Sequence, residues 1–403
     1  MQNIVVDKPY AFIGPKFSRF WLWVGRRMVP KQLKKDYGIV SHECRGVEKL
    51  KASLAAGHGV MIVPNHCRPC DPLVMDFLAK AMDRPVHTIA SWHLFMQGKV
   101  QRFLLPRVGC FSVYREGMDR ESLKCATKII ADRKHPLVIF AEGIVTRSND
   151  RMLNFMEGPS FMARTAAKQR KEGKVVIHPV FIRYFFEGDL RGTVTPVVEE
   201  IENRLSWQPQ TQLSLKDRIT KAGQALLALK EIEHLGRAGE GTLTERLQRL
   251  IDHILAPLEA RWTNGRKDDE TMARVKRLRT TILPELVTGE LTEADRAERW
   301  RHLTDLYLVQ QLHCYPGDYI ESPTPERILE TVERYEEDLT DVSRAHPPLH
   351  VVLTVGDAIE VSPERDRSQE GDPITRQLRD QMEVMLEETK SHRRKSPTGA
   401  DFT

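Results

Sequence analysis

In the first half of the chain, short apolar runs of strand length alternate with amphipathic stretches of helix length. Val60 to Pro64, Val86 to Ala90, Cys110 to Tyr114, Leu137 to Ala141 and Val175 to Ile182 are the strand-like runs. Between them, Leu73, Val74, Phe77, Leu78 and Met82 predict a helix over 72–82, and Leu123, Ala126, Ile129 and Ile130 one over 120–132. Further helices are expected at 47–56, 92–105 and 159–168. This alternation predicts an α/β domain over 41–205, with a mixed or mainly parallel sheet covered by helices.

After Glu199 the period changes. Leu215, Ile219, Ala222, Leu226 and Leu229 share one helical face, and Leu243, Leu247, Leu250, Ile254 and Leu258 the next. Thr242 with Glu245 has the form of a capping box, and Thr324-Pro325 that of a helix start. Helices at 269–283, 292–312 and 325–339 complete a large all-helical insertion or second domain over 206–346. His346-Pro347-Pro348 ends it, and Leu349 to Val355 and Ala358 to Val361 return to strand composition before a helix over 374–389. Residues 347–390 either complete the first sheet or form a separate unit with its own hairpin. Residues 391–403 are polar and basic, and are expected to be a disordered tail.

Composition narrows the function classes. With 40% hydrophobic and 29% charged residues among 403, the chain is of the folding kind. A net charge of +5 is too mild to imply nucleic-acid binding. The apolar runs fall short of a bilayer span, and the N-terminus lacks the form of a secretory signal. Residues 1–40 are a basic, aromatic lead-in: Phe17, Phe20, Trp21, Trp23 and Val24 stand among Arg19, Arg26, Arg27, Lys31, Lys34 and Lys35. Such a segment suits the headgroup layer of an anionic membrane, although the same aromatics could cap the core that follows. Six cysteines in so long a chain do not form a disulfide framework and fit a reduced, cytoplasmic setting. Cys67 and Cys70 form one Cys-x-x-Cys beside His66 and Asp71, which raises a zinc or redox reading. A structural zinc site would need a second ligand pair, and none follows in the chain.

The chemistry concentrates in Val63 to Leu73. A strand ends here and a helix begins at Asp71-Pro72, so His66 lies on the connecting loop, with four residues between it and a carboxylate. One imidazole nitrogen can be held by the acid while the other faces a substrate, as a base with its orienter requires. Asn65-His66-x4-Asp71 is followed by Gly109 to Arg115, by Phe140-Ala-Glu142-Gly143 with Thr146-Arg147, and by Val176-Ile-His-Pro179-Val. These four stretches, in this order, resemble the four motifs of the glycerophospholipid acyltransferase family, the lysophosphatidate-acyltransferase-like enzymes. Ala141 stands where the family has proline, Ser112 where it commonly has phenylalanine, and two residues separate Gly143 from Thr146. Val355 to Val361 resembles the segment that closes the family's domain, with Ala358 in place of proline.

The resemblance implies His66 and Asp71 as the catalytic pair. It implies Asn65, Gly109, Arg115, Glu142, Gly143, Thr146 and Arg147 as substrate contacts, with Arg115 on the acceptor phosphate. Arg151 competes for the role given to Arg147, and Arg115 has the alternative of a surface pair with Glu116 or Asp119. The implied reaction moves a fatty acyl chain from acyl-CoA or acyl carrier protein to a lysophospholipid or glycerol phosphate, without metal or redox cofactor. It would take place at the cytoplasmic face of a membrane, with the protein bound peripherally. From a different class, the alternative is a catalytically silent lipid-binding module whose helical insertion recruits a partner protein.

Overall fold

The structure is a computed structural model that describes residues 8–117, 119–268, 270–317, 319–365 and 371–400. Helix α1 (Arg19–Tyr37) leads into strand β1 (Ile39–Arg45), helix α2 (Val47–Ala55) and strand β2 (Gly59–Pro64). Helix α3 (Asp71–Ala81), strand β3 (His87–Ser91), helices α4 (Trp92–Met96) and α5 (Lys99–Arg107) and strand β4 (Cys110–Val113) follow. Helix α6 (Arg120–Ala131), strand β5 (Leu137–Val138), helix α7 (Gly158–Gln169) and strand β6 (Val175–Phe186) end the first half. The second half comprises helices α8 (Leu190–Arg204), α9 (Leu215–Leu235), α10 (Leu243–Trp262), α11 (Thr271–Thr288), α12 (Glu293–His313) and α13 (Pro325–Thr340). Strands β7 (Leu349–Val355) and β8 (Ile359–Glu360) and helix α14 (Pro373–Glu388) come last.

The described residues build one eight-stranded sheet of order β1-β7-β6-β2-β5-β3-β4, with β8 paired to β6. β6, β2, β5, β3 and β4 are mutually parallel; β7 lies antiparallel to β6 and parallel to β1. This is the mixed, mainly parallel α/β sheet expected from the alternation. β7 and β8 join the same sheet, so residues 349–360 complete it and do not form a separate hairpin. Both faces are covered, which explains the continuous apolar runs. Successive residues of β2 point to opposite layers: Val60 and Ile62 pack with α3, α8 and α13, and Met61 and Val63 with α6, α7 and α14.

Several details depart from the sequence reading. The helix expected over 92–105 divides at Gln97-Gly98, where Gly98 is fully extended at φ 172. β6 continues past Ile182 to Phe186, because β7 pairs with its second half from Val180 onward. Asp71 is not the cap of α3 but its first residue, with Cys70 at the cap position. The helical segment is not one body: α8, the first half of α9 and α13 share the core of the sheet, whereas α10, α11 and α12 have a core of their own. The expected capping box at Thr242 and Glu245 is formed.

The tail read as disordered is held as far as it is described. Arg393 pairs with Glu326 at 2.5 Å, Arg394 with Glu187 at 2.7 Å, and Thr398 bridges to Asp189. Residues 401–403 lie outside the described residues.

Since β7 is flanked by β1 and β6, a chain ending at residue 346 would leave both partners with unpaired edges and an open core. Such a truncation is expected to lose cooperative thermal unfolding, as measured by circular dichroism, while the full chain retains it.

Candidate active site

β2, β3, β4 and β5 run in the same direction, so the loops that follow them gather at one edge of the sheet. His66, Arg115 and Glu142 stand on the loops after β2, β4 and β5, and His93 on α4, directly after β3, at the edge where ligands meet parallel sheets. His66 Nδ1 lies 2.9 Å from Asp71 Oδ2, and its side chain is 14% exposed against 0% for Asp71. Among the described residues Nε2 has no hydrogen-bond partner, and Phe140 lies against the ring at a centroid distance of 4.3 Å.

Asp71 is held by three donors. Oδ2 also accepts from Arg68 N–H at 2.8 Å, and Oδ1 accepts from the Tyr184 hydroxyl at 2.5 Å. Burial, then the nearby Asp71 charge, hold the Tyr184 phenol well above its ordinary pKa, so it stays a donor. From sequence, Tyr184 reads with Phe185 and Phe186 as a core aromatic, not as a site residue. The available signal was its side of β6: it shares the face of Ile182, toward α3, and so points at the start of that helix.

Several residues carried over as substrate contacts prove to shape the loop. Asn65 is buried, and its amide donates to Ile182 O at 3.0 Å and accepts from Ile182 N–H at 2.7 Å, bracing the end of β2 against β6. Glu142 accepts from His66 N–H at 2.8 Å and from Leu153 N–H at 2.7 Å, so both carboxylate oxygens are occupied by backbone. Thr146 donates its backbone N–H to His66 O at 2.8 Å, and its hydroxyl to the same oxygen at 3.2 Å. Gly143 has φ +74, and a Cβ there would stand 2.7 Å from Met156 Cε.

Two residues lie elsewhere. Gly109 precedes β4, at the opposite edge from His66, and a Cβ on it would meet the Phe17 ring and Val86 O, so close packing there excludes a side chain. Arg147 turns toward α13, pairing with Glu337 at 2.7 Å and Ser343 at 3.0 Å in a cleft that His66 does not line. Its backbone has φ 61, consistent with the chain turning outward after Thr146. Arg151, the alternative, lies next to Asp150, which pairs with Arg183 and Arg327.

Arg115 stays at the site. Its Nη2 donates to Gly143 O, and burial together with the neighbouring Arg279 lowers its pKa to about 10, so it remains a cation at neutral pH. Glu116 pairs not with Arg115 but with Arg279 of α11, at 2.6 Å. Cys67 and Cys70 are buried thiols. Burial raises Cys67 strongly and Cys70 to about 12, which disfavours the thiolate that metal or redox chemistry needs. Among the described residues no group of three or more His, Cys, Asp or Glu is placed to hold a metal.

An exposed imidazole nitrogen backed by a buried carboxylate, with an arginine on a neighbouring loop, equips the site for proton abstraction beside an anionic group. Among α/β proteins this defines a general-base transfer site at the carboxyl edge of the strands. Residues 41–183 match the family described as Acyltransferase, and the domain they build belongs to that family. Acyl transfer in general follows from that membership, with an acyl donor and a lipid acceptor as the family's kind of substrate. No curated protein matches the chain.

Burial is the first cause that raises the Glu142 carboxyl from 4.5 to about 7. Between those values the unfolded chain releases the proton and the folded chain keeps it, so the stability from this group falls as pH rises through that window. Glu142→Gln can accept only one of the two backbone donors, and is expected to cost about 1–3 kcal/mol while flattening that dependence. Denaturant midpoints at pH 5 and pH 8 for both proteins check it.

Proposed function

We propose that the protein transfers a fatty acyl group from acyl-CoA or acyl carrier protein to the hydroxyl of a glycerol phosphate lipid precursor, with 1-acylglycerol 3-phosphate first and glycerol 3-phosphate next. The observation that carries this reading is the His66–Asp71 pair, with Nε2 open and the Arg115 guanidinium one loop away. His66 Nε2 takes the proton of the acceptor hydroxyl, and the oxygen attacks the thioester carbonyl. The tetrahedral intermediate collapses with loss of the thiolate, which receives the proton from the imidazolium. Asp71 keeps Nδ1 protonated before the reaction and stabilises the cation during it. No side chain is acylated, and no resident cofactor takes part.

The donor and acceptor are amphiphilic, and the surface of the protein offers a place to meet them. On α1, Phe20, Trp23 and Met28 are 61%, 54% and 62% exposed; on α5, Val100 and Phe103 are 65% and 43% exposed. Trp21 and Phe103 touch edge to face with centroids 5.5 Å apart, so the two helices present one surface. The same two helices carry Arg19, Arg26, Arg27 and Lys31 on α1 and Lys99, Arg102 and Arg107 on α5. Phe17, by contrast, packs beneath Gly109, so the lead-in both caps the core and exposes an apolar face. In the described residues no helix is long and apolar enough to cross a membrane. In this reading the protein lies on the cytoplasmic face of an anionic membrane.

Thiol release from long-chain acyl-CoA, assayed with a panel of acceptors, tests the reaction. The wild type is expected to release thiol only with a phosphate-bearing acceptor, and His66→Ala to lose about 10²- to 10⁴-fold with its melting temperature kept. Absence of release with any acceptor would leave a silent lipid-binding module. For the surface, Phe20→Ser with Trp23→Ser is expected to abolish co-sedimentation with vesicles containing phosphatidylserine. Undiminished binding would refute the membrane face.

A further inference from the structure

Arg115 and Glu116 are adjacent in sequence, yet they form no direct ion pair, and Glu116 acts on Arg115 only through its nearby charge. Glu116 reaches across to Arg279 of α11, 2.6 Å away, and both side chains are nearly buried, at 14% and 10% exposure. Arg115 is left with a backbone carbonyl, Gly143 O, and among the described residues has no carboxylate partner. Arg279 is close enough to depress the ionisation of both Arg115 and His93. Two guanidiniums and one carboxylate, paired to only one of them, therefore stand at the carboxyl edge of the sheet. His93 feels the same two charges; burial first, and then those arginines, lower it to about 4, so it adds no charge at neutral pH.

An excess of buried positive charge is costly to fold and favours an anion that completes the pairing. The place is tied to the base by consecutive contacts: Arg115 holds Gly143 O, Gly143 follows Glu142, and Glu142 holds His66 N–H. Arg279 lies outside residues 41–183, in the helical segment whose purpose the family match leaves open.

We propose that Arg279, with Arg115, clamps the phosphate of the acyl acceptor, so that the helical segment supplies half of the acceptor's anion site. The proposal rests on the acceptor reading above. A phosphate monoester offers three oxygens, enough for one fork from each arginine, and its glycerol hydroxyl is then directed toward His66. Glu116 acts as a tether that keeps Arg279 in place and competes with the ligand for it. Arg147, paired with Glu337, takes no part in this grip.

Calorimetric titration of the full chain with inorganic phosphate and with glycerol 3-phosphate, at fixed ionic strength, tests the clamp without requiring turnover. Arg279→Gln is expected to weaken both by about tenfold or more, and to raise KM for the phosphate-bearing acceptor with kcat within about threefold. Arg279→Lys should recover part of the loss. Glu116→Gln breaks the same ion pair but frees Arg279, so it is expected to tighten phosphate binding. A purely structural pair would instead make both variants less stable and leave phosphate affinity unchanged. That result, or a wild type that binds no phosphate, overturns the clamp. If phosphate binds with the expected pattern but no acyl group moves, the anion site stands and the transferase reading fails. If transfer proceeds and Arg279→Gln alters neither KM nor affinity, the reverse holds.

Discussion

A carboxylate with no solvent exposure holds the site together. Asp71 survives as an acceptor in the interior because His66, Arg68 N–H and Tyr184 each donate to it, at 2.9, 2.8 and 2.5 Å. Its place in the first turn of α3 adds the favourable field of unpaired helix amides. Once these donors are in place the imidazole has little rotational freedom, and the reactive nitrogen faces outward without any ordering at the moment of reaction. The whole arrangement depends on β6 standing at the correct distance, because Tyr184 is carried by that strand.

Two asparagines set that distance. Asn65 exchanges two hydrogen bonds with the backbone of Ile182, and Asn149 does the same at Tyr184, donating to its carbonyl at 2.7 Å and accepting from its N–H at 3.0 Å. Loops that leave a sheet lose their ladder partners, so buried side chains must satisfy the backbone in their place. The same need accounts for Glu142 and Thr146, which hold the N–H and the carbonyl of His66. Motif residues that read as ligand contacts in one dimension thus act as braces in three.

The helical segment is joined to this scaffold by charge as well as by packing. Asp150, on the loop below the site, is held by Arg183 of β6 at 2.6 Å and by Arg327 of α13 at 2.9 Å. Arg68 pairs with Glu333 of α13 at 3.0 Å, one residue from Cys67 and two from His66. On the other side, α11 reaches Glu116, and Met272 packs against Ile144 and Leu153. Movement of the helical layer would therefore be felt at the loops that carry the base and the arginine.

Periodicity along the chain was enough to determine the alternating layers, the helical segment and the loop that carries His66 and Asp71. These are local properties: strand and helix periods, a proline at a helix start, and a five-step separation on one loop all act over a few residues. Which side chains face the substrate was decided only by tertiary structure. Gly109 and Arg115 are six positions apart, at opposite ends of one short strand, so a pattern that lists them together cannot place them on opposite edges of the sheet. Likewise, nothing near Arg279 in the chain connects it with position 116. Their meeting follows from packing a separate helical core against strand ends more than a hundred and fifty residues earlier, a constraint that no local period carries.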